Sequence, residues 1–107
     1  MTEYVKVARL GEIGPGQRKL IDFEEVTVAL FNIDGEYYCI EDVCTHDGGP
    51  VAEGPLEGHT IACPRHGALF DVRDGSVLSM PAVVPVPTYD VRIEGDDILV
   101  ESPDEVW

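Results

Sequence analysis

The sequence predicts an all-β domain, and three observations carry that prediction. No stretch keeps a helical period over three turns, and apolar residues come in short segments punctuated by glycine, proline and Asp-Gly. Third, Asp34-Gly35 lies between two strand-like runs, which is the strongest short-range hairpin signal a sequence offers. With 107 residues the chain is expected to form one domain with a real core, too small for a substrate cavity and a separate cofactor domain together.

Taken in order, Tyr4 to Ala8 reads as the first strand. Gly11 to Gly16 is a turn with room for a short helical piece. Lys19 to Phe23 and Val26 to Ile33 follow as strands, the second rich in β-branched residues. Asp34-Gly35 joins Val26 to Ile33 to Tyr37 to Glu41 as a hairpin that ends three residues before Cys44. Thr60 to Cys63 is a strand preceded by His59, a polar turn residue. Asp74-Gly75 joins Ala68 to Val72 with Ser76 to Leu78. Pro81, Pro85 and Pro87 make the segment from 80 to 87 a stiff extended loop. Tyr89 to Ile93 and Asp97 to Glu101 form a last hairpin about Gly95-Asp96, before a short acidic tail from Ser102 to Trp107.

The chain carries 21 acidic and 7 basic residues, a net charge of -14, with the excess spread from Glu3 to Glu105. Nucleic acid and anionic membrane surfaces are poor partners for such a surface, whereas a protein with a basic patch would be drawn to it. The same acidity also keeps a small domain in solution. Neither a leader segment nor an apolar run of membrane length is evident, so a soluble, cytoplasmic protein is expected. Three cysteines, two of them in ligand-like spacing, argue against a disulfide framework.

Those two cysteines lie in Cys44-Thr45-His46 and Cys63-Pro64-Arg65-His66, separated by sixteen residues. Two thiolates and two imidazoles can close a four-ligand metal site. Zinc accepts such a set, but its usual modules group the cysteines together and the histidines together. One cysteine and one histidine per loop suit a dinuclear iron-sulfur centre, with Cys44 and Cys63 on an inner iron and His46 and His66 on an outer one. Two neutral imidazoles in place of two thiolates remove negative charge, so such a centre accepts an electron more easily than an all-cysteine one. Cys39, inside the strand Tyr37 to Glu41, reads as a small buried hydrophobe.

The two loops, Cys44-Thr45-His46-Asp47-Gly48-Gly49 and Cys63-Pro64-Arg65-His66-Gly67-Ala68-Leu69-Phe70-Asp71, resemble the cluster-binding loops of Rieske-type 2Fe-2S proteins. Pro81-Ala82, Pro85-Val86-Pro87 and Tyr89 resemble the proline-rich loop that covers the cluster in that family. The resemblance spans nearly the whole chain, and the length is that of the small Rieske ferredoxins of bacterial ring-hydroxylating dioxygenase systems. It implies stacked antiparallel sheets forming one Rieske domain, residues 1–107, with a cluster-binding subdomain from Val43 to Val72 inserted into a base, and a covering loop at 80–87. It also implies a one-electron carrier, itself not an enzyme. Such a carrier passes electrons from a flavin-dependent ferredoxin reductase to a terminal non-haem iron oxygenase through transient contacts, as a monomer.

Respiratory Rieske proteins carry an extra cysteine in each loop and a serine and a tyrosine that donate hydrogen bonds to cluster sulfur. The matching positions here are Gly49, Arg65, Ala68 and Phe70. Without those donors the reduced form is less stabilised, so a potential at the low end of the Rieske range, around -150 mV, is expected. Three other readings stand beside the dioxygenase ferredoxin. They are a Rieske-like small subunit of a redox enzyme such as assimilatory nitrite reductase, a carrier attached to iron-sulfur assembly or a monooxygenase, and a zinc-binding interaction module.

Overall fold

The computed structural model describes residues 3–45, 49–64, 67–80, 82 and 84–103. They form eleven strands in chain order: β1 (Tyr4–Arg9), β2 (Arg18–Asp22), β3 (Thr27–Ile33), β4 (Glu36–Glu41), β5 (Leu56–Glu57), β6 (Thr60–Ala62), β7 (Leu69–Asp71), β8 (Val77–Ser79), β9 (Thr88–Tyr89), β10 (Val91–Glu94) and β11 (Asp97–Glu101). Pairing is antiparallel throughout, in three sheets ordered β1-β11-β10, β2-β3-β4-β9 and β5-β6-β7-β8. No helix occurs among the described residues, the Gly11 to Gly16 turn included, and no helix is long and apolar enough to cross a membrane.

Strand β3 shows how the sheets stack. Side chains alternate between the two faces of a strand, yet every residue from Val28 to Ile33 is buried. Ala29, Phe31 and Ile33 pack with Ile61 and Phe70 of the third sheet, while Val28 and Leu30 pack with Ala8, Ile98 and Val100 of the first. The second sheet is therefore the middle layer, with one apolar core on each face. Asn32 is the polar member of this buried run. Its side-chain Nδ2 donates to the Ile13 carbonyl at 2.7 Å, and its Oδ1 accepts from Gly35 N–H at 2.9 Å.

The Asp34-Gly35 turn is the two-residue hairpin expected, with Ile33 opposite Glu36. Both turn residues have positive φ, 54° and 88°, as a type I′ turn demands. Two strands differ from the sequence-based expectation. Tyr89 to Ile93 is divided at Asp90, so that β9 joins β4 in the second sheet while β10 joins β11 in the first. Leu56–Glu57, not expected as a strand, pairs with β6 across the Gly58-His59 turn. A two-residue strand is too short to show alternation, and only its partner defines it. The strands of the third sheet all fall in sequence between β4 and β9, which are themselves hydrogen-bonded neighbours.

Candidate metal centre

Cys44 follows β4 by way of Asp42 and Val43, whose backbone N–H groups donate to the Thr27 and Glu41 carbonyls, both at 2.8 Å. Cys63 follows β6 directly. Because β6 and β7 pair with each other, the second loop is the tip of a hairpin, and it also stands just ahead of the β7-β8 hairpin about Asp74-Gly75. The two loops close in the same way. Cys44 N–H donates to the Gly49 carbonyl at 2.6 Å, and Cys63 N–H donates to the Ala68 carbonyl at 2.8 Å, each bond spanning six residues. Gly67 N–H also donates back to the Cys63 carbonyl at 2.9 Å, with Gly67 at φ 74°.

The two cysteines are 0% and 2% exposed and belong to the same packed cluster, with Val51, Ala52, Ile61, Ala68 and Phe70 among its members. No disulfide forms among the described residues. Two buried thiols brought into one cluster by two separately clasped loops are soft donors suited to iron-sulfur ligation. His46 and His66 lie outside the described residues, as do Asp47, Gly48, Arg65, Pro81 and the tail from Asp104 to Trp107. Where Ala68 and Phe70 stand, both fully buried, no hydroxyl is available to the site.

The proline-rich segment is held from three sides. The Thr45 hydroxyl donates to the Val84 carbonyl at 2.5 Å. Val86 N–H donates to the Gly75 carbonyl, and Glu41 N–H to the Pro87 carbonyl, each at 2.9 Å. Gly75 has φ 78°, and a Cβ there would meet the Val86 carbonyl oxygen at 2.0 Å, so only glycine lets this loop lie on the β7-β8 turn.

Cys39 stands apart from this site. It is 2% exposed in the other core, beside Val28, Leu30 and Ile98, and burial pushes its thiol up to about 12. A thiol so hard to ionise is a packing residue, as expected. His59 sits in the β5-β6 turn, at the far end of β6 from Cys63, roughly 13 Å away by strand rise. Its ring meets the edge of Tyr38, with centroids 5.6 Å apart. Nearby, the Arg73 guanidinium binds Asp71 at 2.7 Å and holds its carboxyl below the usual range.

Sequence reasoning missed Arg18 and Asp42, which act on the segment between the two loops. Asp42 Oδ1 accepts from Val51 and Ala52 N–H at 2.8 and 2.7 Å. Arg18 Nη1 donates to the carbonyls of Ala52 and Gly54. Asp42, two residues before Cys44, could have been suspected as a turn-capping residue. Arg18, 26 positions ahead of Cys44, left no local signal.

A family model of the Rieske [2Fe-2S] domain matches residues 3–90. The 3-phenylpropionate/cinnamic acid dioxygenase ferredoxin subunit of Shigella boydii serotype 4 (strain Sb227) is 40% identical over 96 residues, covering 89% of this chain and 90% of its own length. The subunit of the same name from Escherichia coli (strain K12) matches to the same extent. Among solved structures, the ferredoxin of carbazole 1,9a-dioxygenase from Nocardioides aromaticivorans IC177 superposes with a TM-score of 0.85 at 33% identity, over 91% of this chain and 95% of that one. A chain in the complex of reduced oxygenase and oxidized ferredoxin of carbazole 1,9a-dioxygenase gives a TM-score of 0.89 at 28% identity, over 97% of both chains.

Proposed function

This chain belongs to the Rieske [2Fe-2S] family, and on that premise we propose that Cys44, His46, Cys63 and His66 hold its cluster. The protein is an electron carrier of the dioxygenase-ferredoxin type, an electron-transfer component and not a catalyst, with a Rieske-type 2Fe-2S cluster as cofactor. The observation that carries the assignment of ligands is the pair of buried thiols, Cys44 and Cys63, presented to one core cluster by two loops with the same six-residue clasp. When bound, the cluster takes up and releases one electron. The chain's own residues do the rest. Cys44 and Cys63 anchor from inside, His46 and His66 complete the set from the following positions in each loop, and the proline-rich segment is tied to the first loop at Thr45.

In this reading residues 43–72 form the cluster-binding part and 80–87 its cover. The partners are a flavin-dependent reductase and a terminal oxygenase, engaged in turn and briefly, since a carrier that binds tightly cannot turn over. The acidic field supports recognition by basic partner surfaces, and several of the described cations already have partners within the chain. Lys6 and Arg73 pair with Asp97 and Asp71, Lys19 with Glu12, and Arg92 lies over the Tyr4 ring. We place the protein in the cytoplasm as a monomer.

The test is a redox titration of anaerobically purified protein with low-temperature electron paramagnetic resonance. A reduced-state 2Fe-2S signal of low average g and a midpoint around -150 mV is the expected result. Zinc or no metal, with no signal, overturns it.

A further inference from the structure

We propose that Arg18 is a positioning residue for the cluster pocket, acting through the Val51–Gly54 strap that lies between the two cysteine loops; the proposal rests on the reading of Cys44 and Cys63 as ligands.

Arg18 belongs to the middle sheet, opposite Phe31 in the β2-β3 ladder, and its guanidinium lies over the Phe31 ring at 5.4 Å. Phe31 is itself fully buried in the cluster that contains Cys44 and Cys63. From this fixed seat Nη1 donates to two carbonyls, Ala52 and Gly54, the second at 2.8 Å. Asp42 holds the same strap from its donor side, taking the N–H groups of Val51 and Ala52 on one oxygen. The acid takes N–H groups of the strap and the cation takes its carbonyls, each the charge that attracts that group, and charge-assisted bonds of this kind are about twice as strong as neutral ones.

The strap in turn touches both loops. Val51 and Ala52 are 0% exposed and pack in the same cluster as the two thiols. Gly54 lies so close to the second loop that a Cβ would stand 1.7 Å from the Ala62 carbonyl oxygen and 3.2 Å from Pro64 Cδ, the residues on either side of Cys63. Ala62 N–H donates to the Pro55 carbonyl at 3.1 Å. A shift of the strap therefore disturbs the packing around Cys44 and the contacts with the backbone beside Cys63. Arg18 sets that position from the base sheet, which makes it an outer support of the ligands and not a ligand.

The experiment is Arg18→Gln in the cluster-loaded protein. Bleaching of the visible absorption under excess iron chelator is followed in the presence of a thiol-alkylating reagent, with mass-spectrometric mapping of the labelled cysteines. Cys39, in the other core, reports general loosening. The expected result is bleaching faster by roughly tenfold to a hundredfold, labelling of Cys44 and Cys63 in step with it, Cys39 labelling unchanged, and altered g values in the reduced-state resonance. Where Arg18→Gln yields no folded protein, Arg18→Lys keeps the charge but loses the planar guanidinium that lies over Phe31 and carries Nη1 to the two carbonyls, and should show the same pattern more weakly. Bleaching at the wild-type rate overturns the proposal, and so does Cys39 labelling that rises together with the other two. A wild-type protein that carries no iron or sulfide overturns the reading of the site itself, and this proposal with it.

Discussion

The Thr45 hydroxyl and the Val84 carbonyl, 39 positions apart in the chain, are joined by a 2.5 Å hydrogen bond that ties the first ligand loop to the proline-rich segment. Thr45 lies between the two proposed ligands of that loop, so the bond ties the proposed cover to the first loop. Thr45→Val keeps the shape and removes the donor. A loss of about 1 kcal/mol is expected, or roughly 4–8 °C in the thermal midpoint for a domain near this size, along with faster oxidative bleaching. Unchanged bleaching would show that the cover is held by its other two tethers alone.

Gly54 and Gly58 separate two reasons for glycine. At Gly54 the obstacle is the backbone oxygen of Ala62, 1.7 Å from a Cβ, which cannot swing aside. Gly54→Ala should cost on the order of 4 kcal/mol or more and abolish cluster loading. At Gly58, with φ 60° and nothing within 4 Å, alanine meets only backbone strain, about 1–2 kcal/mol. Equal urea midpoints for the two variants would refute this distinction.

Ala68 and Phe70 offer no hydroxyl to the cluster. Phe70→Tyr and Ala68→Ser should raise the potential, because a new donor to cluster sulfur favours the more negative, reduced form. Each kcal/mol of that preference is worth about 40 mV in a one-electron couple. A titration in which neither variant rises would mean that the added hydroxyls do not reach sulfur. His66→Cys should act in the opposite sense, lowering the potential by adding charge. An unchanged potential there would show that His66 is not a ligand.

Asp71 gives a pH dependence of definite sign. Arg73 holds its carboxyl below the ordinary range, so the folded-state value lies under the unfolded one, about 3.9. Its contribution to stability is complete above that unfolded value and is lost as pH falls through the folded one. Urea unfolding should find Asp71→Asn less stable than wild type from pH 7 to 5, with the gap narrowing below about pH 4. A gap independent of pH would place the effect in packing.

The net charge of -14 predicts salt-sensitive encounter with a basic partner surface. Stopped-flow reduction by the proposed flavin-dependent reductase should slow by roughly tenfold or more between about 0.05 and 0.5 M salt. A rate indifferent to salt would remove the acidic surface from the docking step.

Much of this was written locally in the chain. Asp34-Gly35 announced its turn, because positive φ at two successive positions restricts the residues that can stand there. The family was legible for a similar reason: the motifs Cys44-Thr45-His46 and Cys63-Pro64-Arg65-His66 put soft and imidazole donors at fixed local spacing, which the family match over residues 3–90 bears out as a Rieske domain. Cys39 could be separated from Cys44 and Cys63 by its place inside a strand. What determined these features was the chemistry of a few consecutive residues. The tertiary structure alone decided that Tyr89 to Ile93 divides between two sheets, that Leu56–Glu57 becomes a strand, and that Arg18 reaches across to Ala52 and Gly54. Each of these depends on a partner far away in sequence. Pairing and carbonyl capture are satisfied by whatever the packed layers bring alongside, and no periodicity within the segment records that neighbour.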